Sequence, residues 1–251
     1  METHSAHSDL RFPADNGVIP ALDVDSVDEL RRLVETTHDV EGIVGYKLGV
    51  VGALRLGLRG AVQAIHDITD LPVVYDHQKA GPDIPDMAAK YVAICREAGV
   101  HSLILFPLAG ERAVREFAGH AQREGLVPIL GGALPFAEYY VSGGGYVADD
   151  ALARIFAFSV ALGVTDFVVP ANDPGMVRHH AETLQAKVEK PGVFLPGIGA
   201  LGGSIEGAFA AAAGCRRYAV IGREIYRSKD PRVRAQQLGE EALWWAAKSP
   251  T

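Results

Sequence analysis

The chain has 251 residues, of which 48% are hydrophobic and 22% charged, a composition typical of a globular protein. Its net charge of −7 argues against a nucleic-acid-binding surface, because such surfaces need clustered Lys and Arg. Its apolar runs are shorter than the roughly 18 residues that span a bilayer. Its two cysteines, Cys95 and Cys215, lack metal-ligand spacing. We therefore expect a cytoplasmic protein with neither a membrane segment nor a metal site.

Residues 1–16 are polar and lack the basic start and apolar stretch of a secretory signal, so they are interpreted as a flexible N-terminal tail. Residues 17–251 are interpreted as a single domain. From Gly17 onward, short β-branched runs alternate with amphipathic stretches of about ten to fifteen residues, the pattern of repeated βα units. Eight strands are predicted, at 18–23, 43–48, 73–76, 102–106, 127–130, 167–170, 193–196 and 218–221.

Eight such units predict an α/β fold of the (β/α)8 TIM-barrel type. The alternative is an open Rossmann-like sheet, but no GxGxxG motif follows the first strand, where a dinucleotide fold would have its pyrophosphate loop. Residues 135–150 are rich in Gly and Tyr and interrupt the alternation. They are interpreted as a long loop over the site, with a mobile lid as one reading.

Two basic pairs are expected at the surface. Arg216 and Arg217 precede the last strand and are expected to face solvent at the bottom of the barrel. His179 and His180 lie on the predicted helix after the sixth strand, where a solvated pair is favoured over a metal site.

Charged residues stand at the ends of the first three strands: Asp23, Lys47, Asp76, Lys79 and Asp83. In a barrel, polar side chains at the C-terminal ends of strands point into the mouth, where the chemistry takes place. Carboxylates that flank a lysine keep its ammonium group charged and directed, which suits a proton donor. Each residue alone could equally be a cap or a solvated pair, but together they favour an active site.

A phosphate site is predicted after the last two strands, where LPGIGALGGS and IGREIY occur. Loops at these positions form the usual phosphate site of a barrel, and glycines let the backbone approach the anion closely. The alternative, that the glycines only form tight turns, stays open. The candidate ligand-binding residues are Pro196, Gly197, Gly199, Gly202, Gly203, Gly222 and Arg223.

The segments PALDV, GYKLG, DHQKAGPDIPD, DFVVPA, PGIGALGG and IGREIYRSKDP occur in this order along the chain. In these segments, over about residues 17–234, the chain resembles the orotidine 5'-phosphate decarboxylases, especially those of archaeal type. The resemblance implies that Lys79 protonates C6 of the pyrimidine while Asp76 lies beside the departing carboxylate. It also implies that Asp23 and Lys47 hold the ribose hydroxyls and that Arg223 binds the phosphate.

Two further expectations come from the same resemblance. The reaction would need no metal and no organic cofactor. The active form would be a homodimer in which Asp83 reaches the neighbouring subunit's site.

Some positions depart from the family's pattern. The spacing from Asp76 through Lys79 to Asp83 is longer by one residue on each side, and Leu201 stands where the family often has Gln. Met87, Leu134 and Asp173 also occupy positions where the family often has other side chains. Three hypotheses therefore remain: an orotidine 5'-phosphate decarboxylase with unusual recognition, a related lyase for another nucleotide or sugar phosphate, or a non-catalytic nucleotide-binding relative. The Asp-Lys-Asp element also occurs in sugar-phosphate enzymes such as 3-keto-L-gulonate 6-phosphate decarboxylase.

Overall fold

The computed structural model describes residues 12–77 and 83–248. In this part of the chain, strands and helices alternate as the sequence predicts. The strands are β1 (Asn16–Pro20), β2 (Tyr46–Gly49), β3 (Val73–Asp76), β4 (Ser102–Leu105), β5 (Val127–Leu130), β6 (Asp166–Val168), β7 (Gly192–Pro196) and β8 (Arg216–Ile221). The helices are α1 (Val27–Thr37), α2 (Val50–Leu56), α3 (Leu58–His66), α4 (Ala88–Glu97), α5 (Glu111–Arg123), α6 (Ala151–Ala161), α7 (Pro174–Gln185), α8 (Ile205–Ala211), α9 (Arg223–Tyr226) and α10 (Pro231–Lys248).

The strands form one parallel eight-stranded sheet in the order β1-β8-β7-β6-β5-β4-β3-β2. Single bridges from Val18 to Ile43 and from Ala21 to Lys47 join β1 to β2, and the Leu22 N–H donates to the Lys47 carbonyl at 2.8 Å. The sheet therefore closes on itself. The predicted TIM barrel is confirmed, and the Rossmann-like alternative is wrong.

The interior of the barrel is filled by alternate strand residues such as Ile19, Val74, Ile129 and Phe194. The opposite side chains pack under the helices. In α1, for example, the Ser26 side chain caps the first turn by accepting from the Glu29 N–H at 3.1 Å. The apolar face of α1 then buries Leu30, Leu33 and Val34.

The predicted tail ends too late in the sequence. Asn16 already belongs to β1, and Phe12 is buried at the bottom of the barrel. The Phe12 ring lies 5.0 Å from that of Tyr218 and 5.4 Å from that of Phe194, so it closes the barrel end opposite the mouth. Residues 1–11 lie outside the described part, so the remainder of the tail and the single-domain boundary stay predictions.

Both basic pairs differ from expectation. Arg216 and Arg217 are buried within β8, where Arg216 pairs with Asp166 at 3.1 Å and Arg217 donates to the Asn16 side chain at 2.8 Å. Each guanidinium finds acceptors inside the barrel bottom, which compensates for its loss of water. His180 is also buried, on the inner face of α7.

No helix in residues 12–77 and 83–248 is long and apolar enough to span a membrane.

Candidate active site

Three of the predicted charged residues meet at the barrel mouth. Lys47 lies in β2 and points inward, whereas its neighbour Tyr46 faces the helices and bonds to Thr37 at 2.8 Å. The Lys47 Nζ atom is 2.9 Å from Oδ2 of Asp76, the last residue of β3, and 3.7 Å from Oδ1 of Asp23. Lys47 and Asp76 are buried, whereas the Asp23 side chain is 38% exposed. The ion pair is therefore fixed, and Asp23 is left open to a ligand.

Opposing effects act on the Lys47 ammonium group. Burial lowers the pKa of Lys47 and is the largest single effect, but the carboxylates of Asp76 and Asp23 raise it and together outweigh burial. The net pKa is raised, so Lys47 stays charged at neutral pH. A charged lysine suits hydrogen bonding to hydroxyl groups and does not suit a general base.

Of the other two predicted charged residues, the structure describes only Asp83. Lys79 lies outside the described residues. Asp83 is exposed, and its Oδ1 atom accepts from the Ile84 N–H at 2.7 Å. Its neighbours Ile84 and Met87 are also exposed, at 61% and 37%. Residues 83–87, which precede α4, therefore present a carboxylate and apolar side chains to solvent.

The glycine-rich loop after β7 is folded by its own backbone. Gly197, Gly199 and Gly202 have φ values of +93°, +80° and +89°, which L-residues with a side chain rarely adopt. The N–H groups of Gly199, Gly202 and Gly203 donate to carbonyls of the same loop at 2.9, 2.8 and 3.1 Å. We expected such N–H groups to face the anion. Instead, the N–H groups of Gly199, Gly202 and Gly203 donate within the loop and hold its fold.

The second predicted phosphate element, after β8, is more open. Gly222 precedes α9, and Arg223 is exposed at its start. Among the described residues Arg223 has no salt-bridge partner, so its guanidinium is available for an anionic ligand. The next residue, Glu224, instead pairs with Arg234 of α10 and contacts the bare Cα of Gly199. Glu224 thereby links the two phosphate-loop elements.

A cavity of about 450 Å³ connects the charge cluster with both loops. Of the predicted site residues, Asp23, Lys47, Asp76, Pro196, Gly197, Gly222 and Arg223 line it. Gly199, Gly202, Gly203 and Asp83 do not. Sequence reasoning missed two groups of lining residues. One is polar, Glu224 and Tyr226 after β8. The other is apolar and includes Ile104, Val168, Phe194 and Val220, whose inward strand positions were their only signal.

The segment 135–150, interpreted above as a lid, packs mainly on itself. It contains two short 3-10 turns, Ala137–Tyr139 and Val141–Gly143, and the rings of Tyr139 and Tyr140 meet edge to face at 5.1 Å. Only Pro135 of this segment lines the cavity. In residues 12–77 and 83–248, no three His, Cys, Asp or Glu side chains are grouped to hold a metal ion.

Known proteins resemble this chain over most of its length. The model of the "Orotidine 5'-phosphate decarboxylase / HUMPS family" matches residues 16–238. A curated orotidine 5'-phosphate decarboxylase of Pyrococcus furiosus is 24% identical, over 92% of this chain and 100% of the relative. That of Methanosarcina barkeri is 28% identical, over 89% and 93%.

Among solved structures, an orotidine 5'-monophosphate decarboxylase from Methanocaldococcus jannaschii, complexed with inhibitor BMP, superposes with a TM-score of 0.76. It is 22% identical, over 92% of this chain and 99% of the other. This structural match supports the barrel fold.

Proposed function

The chain belongs to the orotidine 5'-phosphate decarboxylase / HUMPS family, and we propose that it converts orotidine 5'-phosphate to uridine 5'-phosphate, a carboxy-lyase step of pyrimidine nucleotide biosynthesis. The observation that carries the proposal is the buried Lys47–Asp76 pair, 2.9 Å apart, in the same cavity as the exposed Arg223. The curated relatives, all named orotidine 5'-phosphate decarboxylases, support the same activity.

The substrate would be held at its two ends. Arg223 and the backbone at Gly222 would bind the phosphate, and Asp23 and Lys47 would bind the ribose hydroxyls. Binding energy from the phosphate, which does not react, would hold the base against Asp76.

The chemical step would then proceed without a metal or organic cofactor. The bond between C6 and the carboxylate breaks, carbon dioxide leaves, and the electron pair stays on C6. We assign the proton that this carbon takes up to the ammonium group of Lys79. Asp76, held in place by Lys47 at 2.9 Å, would repel the substrate carboxylate and favour its departure.

We further propose that the enzyme works as a cytoplasmic homodimer. Asp83 would reach the neighbouring subunit's site, and the exposed apolar side chains of Ile84 and Met87 beside it support a contact there. Light scattering that shows only a monomer at micromolar concentration would rule out the shared site.

The test is incubation of the purified protein with orotidine 5'-phosphate, following the loss of ultraviolet absorbance and identifying uridine 5'-phosphate by chromatography. We expect turnover by the wild type and none by Lys79→Ala, which should still bind uridine 5'-phosphate. Turnover by Lys79→Ala at the wild-type rate would remove the proposed proton donor. Binding without turnover by the wild type would favour the non-catalytic relative.

A further inference from the structure

The part of the cavity that would receive the phosphate also contains a carboxylate. Glu224 lines the cavity together with Gly222 and Arg223, and its side chain is 28% exposed. A phosphate carries negative charge, so an unpaired carboxylate in the same wall would repel it. Tight binding of an anion here therefore requires that the charge of Glu224 be compensated and its carboxylate held away from the ligand.

Each oxygen of the Glu224 carboxylate has a neighbour other than Arg223. Oε2 accepts a hydrogen bond from Nη2 of Arg234 in α10 and forms an ion pair with it. Oε1 lies against Gly199 of the β7–α8 loop, so closely that a Cβ atom on this glycine would stand 1.9 Å from it. The direction of the carboxylate is therefore set by a cation on one side and by bare backbone on the other.

Arg234 has a fixed place because the first turn of α10 is held at two points. The Asp230 side chain accepts from the Val233 N–H at 3.1 Å and caps the helix. Arg232 donates to both carboxylate oxygens of Asp39, at 2.6 and 3.0 Å. Arg234 itself does not line the cavity, and its side chain is 34% exposed. We expect it to act on a ligand through its partner carboxylate rather than by contact.

The pairing of Glu224 with Arg234 leaves the neighbouring cation available. Among the described residues Arg223 has no salt-bridge partner, although Glu224 is the next residue in the chain. If Arg234 were lost, the Glu224 carboxylate would keep its charge and lose its cation. It would then be attracted to Arg223, where it would compete with a phosphate for the same guanidinium group.

We propose that Arg234 is a positioning residue for the phosphate. Its pairing with Glu224 keeps that carboxylate from repelling the ligand and from taking the place of the phosphate at Arg223. This inference rests on the proposed function, in which the phosphate binds at Arg223. The alternative is that the ion pair only joins α9 to α10 and supports the fold.

The test compares variants of the two residues by calorimetric titration with uridine 5'-phosphate. Arg234→Met removes the cation and should raise the Kd about tenfold, because the carboxylate is released. Glu224→Gln keeps the shape of the side chain without its charge, so its Kd should exceed that of the wild type by no more than about threefold. The double variant Arg234→Met with Glu224→Gln should bind within about threefold of Glu224→Gln alone, since no charge is left to release.

Arg232→Met is the matched control. It removes an ion pair from the same turn of α10, and neither Arg232 nor its partner Asp39 lines the cavity. We expect this variant to bind uridine 5'-phosphate as the wild type does. Equal weakening by Arg232→Met and Arg234→Met would attribute the effect to the helix rather than to the charge of Glu224, and it would overturn the proposal.

The double variant distinguishes the proposal from a purely structural role of the ion pair. If it binds as weakly as Arg234→Met, the pair only supports the fold. Unchanged binding in Arg234→Met would show that the pair has no effect on the phosphate. Either result would overturn the proposal, as would a loss of more than about threefold in Glu224→Gln. That single variant keeps the test decisive should Arg234→Met fail to fold.

Turnover of orotidine 5'-phosphate, measured on the same preparations, separates this inference from the proposed function. Turnover by the wild type without rescue in the double variant would overturn this inference alone. Rescue of binding without any turnover would overturn the decarboxylase assignment and leave the role of Arg234 standing. Failure of the wild type to bind uridine 5'-phosphate would overturn the inference, whatever the turnover.

Discussion

Lys47 is a buried cation whose charge depends on two acids. Replacing it takes a cation away from the buried carboxylate of Asp76, and the loss of one member of a buried ion pair is costly. We expect Lys47→Met to lower the free energy of unfolding by about 3 kcal/mol. Urea denaturation monitored by fluorescence and by circular dichroism would measure the change.

The double variant Lys47→Met with Asp76→Asn is the matched control for charge. It removes the charge of Asp76 as well and keeps the shape of the site, so it should recover at least half of the loss. Should the double variant be no more stable than Lys47→Met, the loss would come from packing instead.

Arg223 is exposed at the mouth and pairs with no carboxylate among the described residues, so it contributes little to stability. We expect Arg223→Ala to keep the wild-type Tm and to weaken uridine 5'-phosphate binding by about 10- to 100-fold, the loss of a charge-assisted contact. Arg227→Ala is the matched control, because Arg227 is exposed on the next turn, over the Tyr226 ring, and does not line the cavity. Equal weakening by both variants would argue against a specific phosphate contact.

At the residue scale, the sequence predicted the site residues at the strand ends that carry a charge. Asp23, Lys47 and Asp76 could be predicted because charges at successive strand ends of a barrel converge. Ile104 and Val168 could not, because an inward apolar residue at the mouth looks the same in sequence as one in the core. The burial of Arg216 was also not predicted, because its partner Asp166 is 50 residues away along the chain.

The loop after β7 works as one element because its glycines and Glu224 fit together. A Cβ atom on Gly199 would collide with the Glu224 carboxylate, whereas one on Gly202 would meet open space, and both glycines have positive φ. We expect Gly202→Ala to cost about 1 kcal/mol of backbone strain. Gly199→Ala should cost more and also weaken uridine 5'-phosphate binding at least tenfold. Thermal unfolding and calorimetric titration of both variants test this. Equal losses of stability and of binding in the two variants would show that the contact between Gly199 and Glu224 plays no part.

Helix α7 carries a histidine that titrates far from its usual range. Burial, with a smaller effect of His179, lowers the pKa of His180 from 6.5 to about 4, and the His180 ring packs edge to face on Phe156 at 5.3 Å. Between pH 6.5 and about 4 the unfolded chain takes up a proton here that the folded chain refuses. Its contribution to stability is therefore complete above pH 6.5 and is lost as the pH falls toward 4, at about 1.4 kcal/mol per pKa unit.

His180→Leu should flatten this dependence. We expect its Tm to fall less than that of the wild type between pH 7.5 and pH 5, whereas His179→Leu, on the exposed side of α7, should follow the wild type. Parallel curves for wild type and His180→Leu would show that acid sensitivity arises elsewhere.

The existence and order of the elements were predictable from the alternation of βα units, but their ends were not. β1 was predicted at 18–23 and runs over Asn16–Pro20, because Asp23 belongs to the open mouth and Asn16 pairs with Arg217. β2 was predicted from residue 43 and begins at Tyr46, since Ile43 joins β1 by a single bridge only. Such shifts depend on the partner strand, which local sequence does not specify.

For the whole molecule, the proposed dimer predicts that a charged residue introduced beside Asp83 breaks the contact between subunits. Ile84 is 61% exposed beside Asp83, so Ile84→Asp should leave the fold intact, produce a monomer and lower kcat/KM for orotidine 5'-phosphate. Val233→Asp, at a 46% exposed site on α10, is the control and should sediment as the wild type does. Sedimentation velocity at micromolar concentration distinguishes them; an Ile84→Asp variant that remains dimeric would place the interface elsewhere.

The apolar lining residues of β4 to β6 and of the loops after them belong to one continuous stretch of the chain, residues 104–170, whereas the charged residues precede it and the phosphate loops follow it. This side of the cavity can therefore be exchanged as a block. A recombinant that takes β4 to β6 from a relative would replace these lining residues and keep Asp23, Lys47, Asp76 and Arg223 in their own sequence context.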